Sequence, residues 1–314
     1  MHQKGIDVSI IIPFFNEEQN IAFLQSELNK FIAQYSAQSF EILFVDDGSA
    51  DKSIEHLKES SFIAHSKLVK LSRNYGSHAA LRAGILQSRG KYVTFVYADL
   101  QDPLELIIRM HNLCIKGAEI AWAERETTST GFFEGSFSRV YAKLMQLFVN
   151  PRFPKNGFDI CMFSDKVRTA LNQNIENNSS IFLQILNLGF RQELISYQKK
   201  ERKLGKTKWT LGKKIKLFID SFVAFSYAPI RFVTIMGSSF FFLGLFWTIY
   251  IIARQVIVGN LSPGWPALIS ILLIGFGITN ISLGIISEYL WRTLDSSRGR
   301  PVFLIDEIID LGGD

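Results

Sequence analysis

Asp99 and Gln101 stand two residues apart just past the apolar run Phe95-Val96-Tyr97-Ala98. In extended backbone both side chains would share one face, where a carboxylate and an amide oxygen can converge on a hard cation. An ion bridging two phosphates needs few protein ligands, because magnesium takes most of the rest from phosphate and water oxygens. A second acidic tip, Asp46-Asp47, ends the run Phe44-Val45. Adjacent acids repel, so one of them needs a donor such as a base N–H, a ribose hydroxyl or Arg73; Asp-Gly-Ser is also a good turn, and local capping is the alternative. Asp102 reads as a cap for a helix after Pro103. The third chemical feature is basic. Nine Lys or Arg residues and one acid lie between Lys199 and Lys216, a local net of +8, so the rest of a chain of net charge +5 sums to −3. Ahead of an apolar segment, such a run suits anionic headgroups or a lipid-linked phosphate better than nucleic acid.

The elements that must hold these residues recur as strand, loop and helix. Val8 to Ile12 leads through Pro13 to a helix with Asn16 as its expected cap, Glu17 and Glu18 in its first turn, and an apolar stripe of Ile21, Leu24, Leu28 and Phe31. Glu41 to Val45, Lys67 to Leu71 and Tyr92 to Tyr97 repeat the pattern, with helices near 52–59, 77–88 and after Pro103, and Ala118 to Ala123 as a fifth strand. Alternation of this kind predicts a parallel sheet covered on both faces, with ligands beyond the carboxyl ends of its strands. Residues 124–200 read as helices at 137–149, 165–172 and 181–188 among polar loops.

The last third differs in kind. Phe232 to Ala253 is a run of 22 residues without a charge and Gly264 to Ser287 one of 24, each long enough to cross roughly 30 Å of hydrocarbon. Arg231 precedes the first, Arg292, Arg298 and Arg300 follow the second, and Arg254 lies between them, which predicts two spans with both termini cytoplasmic. Leu211, Ile215, Phe218, Phe222 and Phe225 recur at helical spacing ahead of the first span, predicting a helix in the cytoplasmic leaflet. Gly275, Gly277 and Asn280 would allow contact with a second copy. Polar residues 1–7 predict no signal peptide, and Cys114 and Cys161 have neither disulfide-ladder nor metal spacing. The expected organisation is a catalytic domain at 1–210, an amphipathic helix at 211–229, two transmembrane helices at 230–291 and a cytoplasmic tail at 292–314.

Ser9-Ile-Ile-Ile-Pro-Phe-Phe-Asn-Glu17, Val45-Asp-Asp-Gly-Ser-Ala-Asp51, Leu71-Ser-Arg-Asn-Tyr-Gly76, Ala98-Asp-Leu-Gln-Asp-Pro103, Arg202-Lys-Leu-Gly-Lys-Thr-Lys-Trp209 and Gly299-Arg-Pro301, in this order and with the two apolar runs, resemble the inverting GT-A glycosyltransferases that act on polyprenyl phosphates. The resemblance implies a GT-A α/β domain with a mainly parallel sheet. It implies transfer of a sugar from a nucleotide-diphosphate donor, UDP-glucose or similar, to undecaprenyl phosphate at the cytoplasmic face of the plasma membrane. Pro13, Phe15, Glu17, Val45 and Asp47 would hold base and ribose, with Tyr97 and Ala98 also lining the donor site. Asp99 and Gln101 would hold Mg²⁺ or Mn²⁺ on the diphosphate. Arg125, Arg139, Arg202 and Lys208 match positions that meet donor and acceptor phosphates, and Asp159 falls where the family carries an acid near the reacting centre.

Two positions depart from the pattern: Tyr97 replaces the first acid of the usual Asp-Ala-Asp, and Cys161 stands where an Arg is common. The rival reading of the same residues is an inactive, membrane-tethered nucleotide-sugar-binding scaffold. A processive polysaccharide synthase would need more spans and a Gln-x-x-Arg-Trp motif, and no Gly-x-Gly-x-x-Gly follows any strand, which argues against a dinucleotide oxidoreductase.

Overall fold

The computed structural model describes residues 5–126, 142–154, 158–175, 180–198, 228–258 and 264–312. Two compact units emerge, one of residues 1–221 with 301–314 and the other of residues 222–300.

In the first unit the chain runs β1 (Val8–Phe14), α1 (Ile21–Gln34), β2 (Phe40–Asp46), α2 (Ser53–Glu59), β3 (His65–Leu71), α3 (Ser77–Gln87), β4 (Tyr92–Phe95), α4 (Glu105–Ile115) and β5 (Ile120–Arg125). It continues through a short helix α5 at 142–148, then β6 (Phe158–Ser164), α6 (Asp165–Gln173), α7 (Ile181–Asn187) and β7 (Gln192–Tyr197). The second unit holds α8 (Ala228–Val258) and α9 (Trp265–Ser297), and β8 (Ile305–Gly312) returns to the first.

One eight-stranded sheet has the order β7-β5-β6-β4-β1-β2-β3-β8. The pairs β1–β2, β1–β4, β2–β3 and β5–β7 are parallel; β4–β6, β5–β6 and β3–β8 are antiparallel. β1 and β2 are buried along their whole lengths, as expected for parallel strands covered on both faces. One face packs on α1 through Ile21, Leu24, Leu28, Phe31 and Ile32, and on α4 through Leu106, Ile107, Met110 and Cys114. The order reverses at β1, whose neighbours are β2 and β4, so the carboxyl ends of β1 and β4 flank the crevice where open α/β sheets bind ligands.

Several expectations change. The first helix begins at Ile21, not after Asn16, because residues 16–18 are bonded across to the β2–α2 loop: the Asn16 N–H donates to Ser49 Oγ at 2.9 Å, Asn16 Oδ1 accepts from the Ala50 N–H at 2.9 Å, and the Glu17 N–H donates to Ser53 Oγ at 2.8 Å. Asn16 takes φ 53°, which a short amide side chain tolerates. The fifth strand is not the next neighbour of β4, since β6 inserts antiparallel between them. β6 and β7 occupy a region expected to hold only helices and loops; their pairing is with distant segments. α6 and α7 fall where helices were expected. The segment expected as a tail contains β8, with Ile309 and Leu311 packed on the core and acids turned outward. Both cysteines are free and buried.

α8 and α9 contain 31 and 33 residues, about 46 and 50 Å at 1.5 Å per residue. They contact each other. Phe232, Phe246, Trp247, Phe276 and Leu290 are exposed along them. Counted over the described residues alone, no helix is long and apolar enough to cross a membrane. Asn280 donates its amide to the Phe276 carbonyl of its own helix at 2.9 Å, so that donor needs no second copy. The expected amphipathic helix at 211–229 lies outside the described residues except for its last two positions, which begin α8.

Gly84 lets α3 sit directly on the sheet: a Cβ there would lie 2.3 Å from Ile11 Cγ2 and 3.2 Å from Val45 Cγ2. Gly84→Ala should therefore push α3 off β1 and β2 and destabilise the unit by about 1–3 kcal/mol despite alanine's better helix propensity. The readout is a lowered urea midpoint; an unchanged or raised midpoint contradicts this packing.

Candidate active site

The site is assembled from loops at the carboxyl ends of β1, β2 and β4. At the end of β1, Pro13 is buried and lies opposite Val45 in register, and Phe15 and Glu17 are partly buried beyond it. Glu17 accepts a hydrogen bond from the Asn20 side chain at 2.6 Å. Val45 is 0% exposed and paired with both neighbouring strands, opposite Pro13 and Val69, so it lies beneath the site rather than at its surface, contrary to its expected contact with base or ribose.

The two acids at the tip of β2 have separate tasks. Asp46 is 0% exposed and accepts the Ser49 N–H at 3.0 and 3.2 Å, closing the Asp-Gly-Ser turn. Burial raises its carboxyl above the ordinary value, against the Ser49 and Gly48 hydrogen bonds. Asp47 reaches the next loop. Its Oδ1 accepts the Tyr75 N–H at 2.7 Å, and its Oδ2 the Gly76 N–H at 2.9 Å. Burial pushes this carboxyl up to about 6; the two N–H donors oppose the shift and the Asp46 charge adds to it. Arg73, a candidate partner for these acids, instead stacks on Tyr75 with Cζ 4.5 Å from the ring centre.

On the other side of the crevice, Ala98 is buried while Tyr97, Asp99 and Gln101 are partly buried. The backbone here is a turn, not a strand. The Leu100 N–H donates to the Tyr97 carbonyl at 3.0 Å, Leu100 has φ 46°, and the Gln101 N–H points back to Asp99 Oδ1 at 3.4 Å. The turn, rather than strand alternation, thus brings residues 99 and 101 together. Their donor set of carboxylate and amide oxygen suits a hard cation. Among the described residues no group of three or more His, Cys, Asp or Glu is arranged to hold a metal.

Asp102 is buried and accepts the Tyr197 hydroxyl at 2.6 Å. α4 starts at Glu105 with Leu104 at the cap and no side-chain capping bond, so the expected capping role gives way to a tie between the 99–103 loop and β7. Arg125, at the end of β5, has both Tyr97 and Tyr197 in its electrostatic neighbourhood. Burial raises both phenols, which stay neutral at physiological pH. Where the family usually has a second carboxylate, this chain therefore places an uncharged hydroxyl near Asp99 and Arg125.

Of the remaining expected site residues, Asp159 lies in β6 with its side chain outside the description, and Arg139, Arg202 and Lys208 lie outside the described residues. Sequence reasoning missed Tyr75 and Tyr197. The Tyr-Gly step before α3 marks a loop, but nothing local signals that a carboxylate 28 residues earlier grips it.

Strand order, crevice and acid placement define a nucleotide-diphospho-sugar transferase fold of the GT-A type. The chain belongs to Glycosyl transferase family 2, whose profile matches residues 9–194, and it is a glycosyltransferase. It is 31% identical over 306 residues to the uncharacterized glycosyltransferase YkcC of Bacillus subtilis, covering 97% of this chain and 94% of that protein. It is 30% identical over 307 residues to the prophage bactoprenol glucosyl transferase homolog of Escherichia coli K12, covering 96% and 99%. It is also 30% identical over 309 residues to an undecaprenyl-phosphate 4-deoxy-4-formamido-L-arabinose transferase of Aeromonas hydrophila, covering 96% and 94%. Among solved structures, glucosyl-3-phosphoglycerate synthase from Mycobacterium tuberculosis, crystallised with Mn²⁺, UDP and phosphoglyceric acid, shares the fold at 15% identity with a TM-score of 0.50, covering 70% of this chain and 77% of that one.

Asp47 yields a pH prediction. Its native carboxyl holds a proton up to about pH 6, whereas an unfolded aspartate releases it near ~4. Between those values the native state binds more protons, so this group's stabilising contribution is fullest below about pH 4 and is lost as pH rises through 6. Asp47→Asn cannot ionise and should flatten that portion of the stability profile, read as urea midpoints from pH 4.5 to 7. Parallel profiles for the two proteins would refute the assignment.

Proposed function

We propose that this glycosyltransferase moves a hexose, with UDP-glucose as the first candidate donor, to undecaprenyl phosphate at the cytoplasmic face of the plasma membrane, inverting the anomeric carbon. The observation that carries this reading is that similarity to relatives named for undecaprenyl-phosphate and bactoprenol transfer runs nearly end to end, through both long apolar helices as well as the catalytic unit. Exposed Phe, Trp and Leu side chains on those helices support a lipid environment. The positions of Arg231, Arg292, Arg298 and Arg300 support two spans with cytoplasmic termini.

The acceptor phosphate is ionised at neutral pH, so no protein base must remove a proton before it attacks. Catalysis then consists of positioning and electrostatics. Pro13, Phe15, Glu17 and Asp47 fix the base and ribose over the buried Val45, and Tyr97 and Ala98 line the sugar diphosphate. Asp99 and Gln101 would hold Mg²⁺ or Mn²⁺, which would supply charge neutralisation for the departing nucleotide diphosphate. Arg125 and Arg139 orient the donor phosphates, while Arg202 and Lys208 draw in the lipid phosphate at headgroup height. Asp159 stands by the reacting centre. One in-line displacement inverts the anomeric configuration.

Membranes containing the protein, supplied in turn with labelled UDP-glucose, UDP-N-acetyl sugars and GDP-mannose, should pass one label into the lipid fraction. The product should have inverted configuration, and Asp99→Ala should lower transfer at least about 100-fold. No labelled lipid from any donor, or retained configuration, would reject the reading. Lys208→Ala should raise the KM for polyprenyl phosphate at least tenfold while UDP affinity changes less than twofold; equal losses in both would remove Lys208 from the acceptor site.

A further inference from the structure

The last strand of the chain lies against the loop that Asp47 grips. β8 pairs antiparallel with β3, with Leu71 opposite Ile305 and Leu68 opposite Ile309. Ile309 and Leu311 pack on the core, and Lys70 pairs with Asp306 at 2.9 Å. Just before β8, the Leu304 carbonyl accepts the Ser72 N–H at 3.0 Å.

From Ser72 the loop runs to Gly76 under restraint on both sides. Tyr75 shares a hydrogen bond with Ser72 through their hydroxyls at 3.0 Å, carries Arg73 on its ring, and donates its own N–H to Asp47. Across the loop, Gly48 has φ +77° and sits so close that a Cβ would lie 2.6 Å from the Arg73 carbonyl carbon and 2.7 Å from the Asn74 nitrogen. Residues 72–76 are therefore held between the Asp47–Gly48 tip and the entry to β8. Of these two walls, the first belongs to the donor site and the second is supplied by residues more than 200 positions later.

We propose that β8 is a positioning element of the donor site: its docking on β3 holds Ser72 through Leu304 and so presses Tyr75 and Gly76 onto Asp47, setting the wall of the nucleotide pocket. This rests on the donor-site reading given above. Tyr75 is the positioning residue that joins the two sides, since its hydroxyl faces Ser72 and its N–H faces Asp47. Without the strand the loop loses one restraint, and Asp47 retains a buried charge with less well-fixed donors. Nucleotide affinity, rather than acceptor use, is the property that follows.

Two full-length variants test this. Ile309→Asp places a charge on the core side of β8 and undocks it, and Tyr75→Phe keeps the ring beneath Arg73 but removes the hydroxyl contact to Ser72. Calorimetric titration with UDP and GDP in the presence of manganese reads donor-site affinity without requiring turnover. The expected result is at least a tenfold weaker Kd in Ile309→Asp and about threefold in Tyr75→Phe, with the KM for polyprenyl phosphate changed less than twofold. Unchanged nucleotide affinity when hydrogen exchange shows β3 amides opened by Ile309→Asp would overturn the proposal, as would equal losses for donor and acceptor. If Ile309→Asp does not fold, the Tyr75→Phe titration decides alone, and an unchanged Kd overturns it. Failure of the unaltered protein to bind either nucleotide would instead reject the donor-site reading itself.

Discussion

A carboxylate buried at the tip of a parallel strand must find donors, and Asp47 finds them in the backbone of a neighbouring loop. Its two oxygens accept the Tyr75 and Gly76 N–H groups, while the adjacent Asp46 closes its own turn through Ser49. Much of the β2 side of the crevice depends on this division. Asp46 shapes the turn, the turn carries Gly48 against Arg73 and Asn74, and Asp47 draws the start of α3 toward β2. α3 can follow because Gly84 leaves room for Ile11 and Val45 beneath it. A charged group held by fixed dipoles in a water-poor place contributes to both rigidity and polarity at the mouth where a nucleotide would enter.

The β4 side of the crevice is built on a different principle. Asp99 and Gln101 meet through a tight turn that includes a left-handed Leu100, and that turn is tied from behind by the Tyr197 hydroxyl on buried Asp102. Tyr97 and Tyr197 remain neutral, with Arg125 nearby. The hydroxyl of Tyr97 thus stands where the resemblance would place a carboxylate. β6 separates β5 and β7 from β4, and Arg125 and Tyr197 at the ends of those outer strands reach Tyr97 and Asp102 from beyond it.

The legible part of the sequence was the part with local causes. Continuous apolar runs gave β1, β2 and β4, the stripe Ile21–Leu24–Leu28–Phe31 gave α1, and the acids after those runs pointed to the crevice because parallel strands place their carboxyl ends together. The misread positions have partners far away. Asn16 looked like a helix cap because its type suits one, yet Ser49 and Ala50 claim it. Asp102 looked like a cap for the same reason, yet Tyr197 claims it. β6, β7 and β8 were overlooked because strands with weak alternation are specified mainly by the strands beside them.

By itself the sequence determined the alternating α/β class, the acidic strand tips, the basic cluster and the two long uncharged runs, since each follows from the type and spacing of residues close along the chain. Only the tertiary structure decided which of two adjacent acids grips the next loop, that a turn brings Asp99 and Gln101 together, and that the chain's end completes the sheet beside β3. Those outcomes turn on hydrogen-bond partners and burial contributed by segments tens to hundreds of residues apart, and no local pattern encodes which distant donor will reach a given carboxylate.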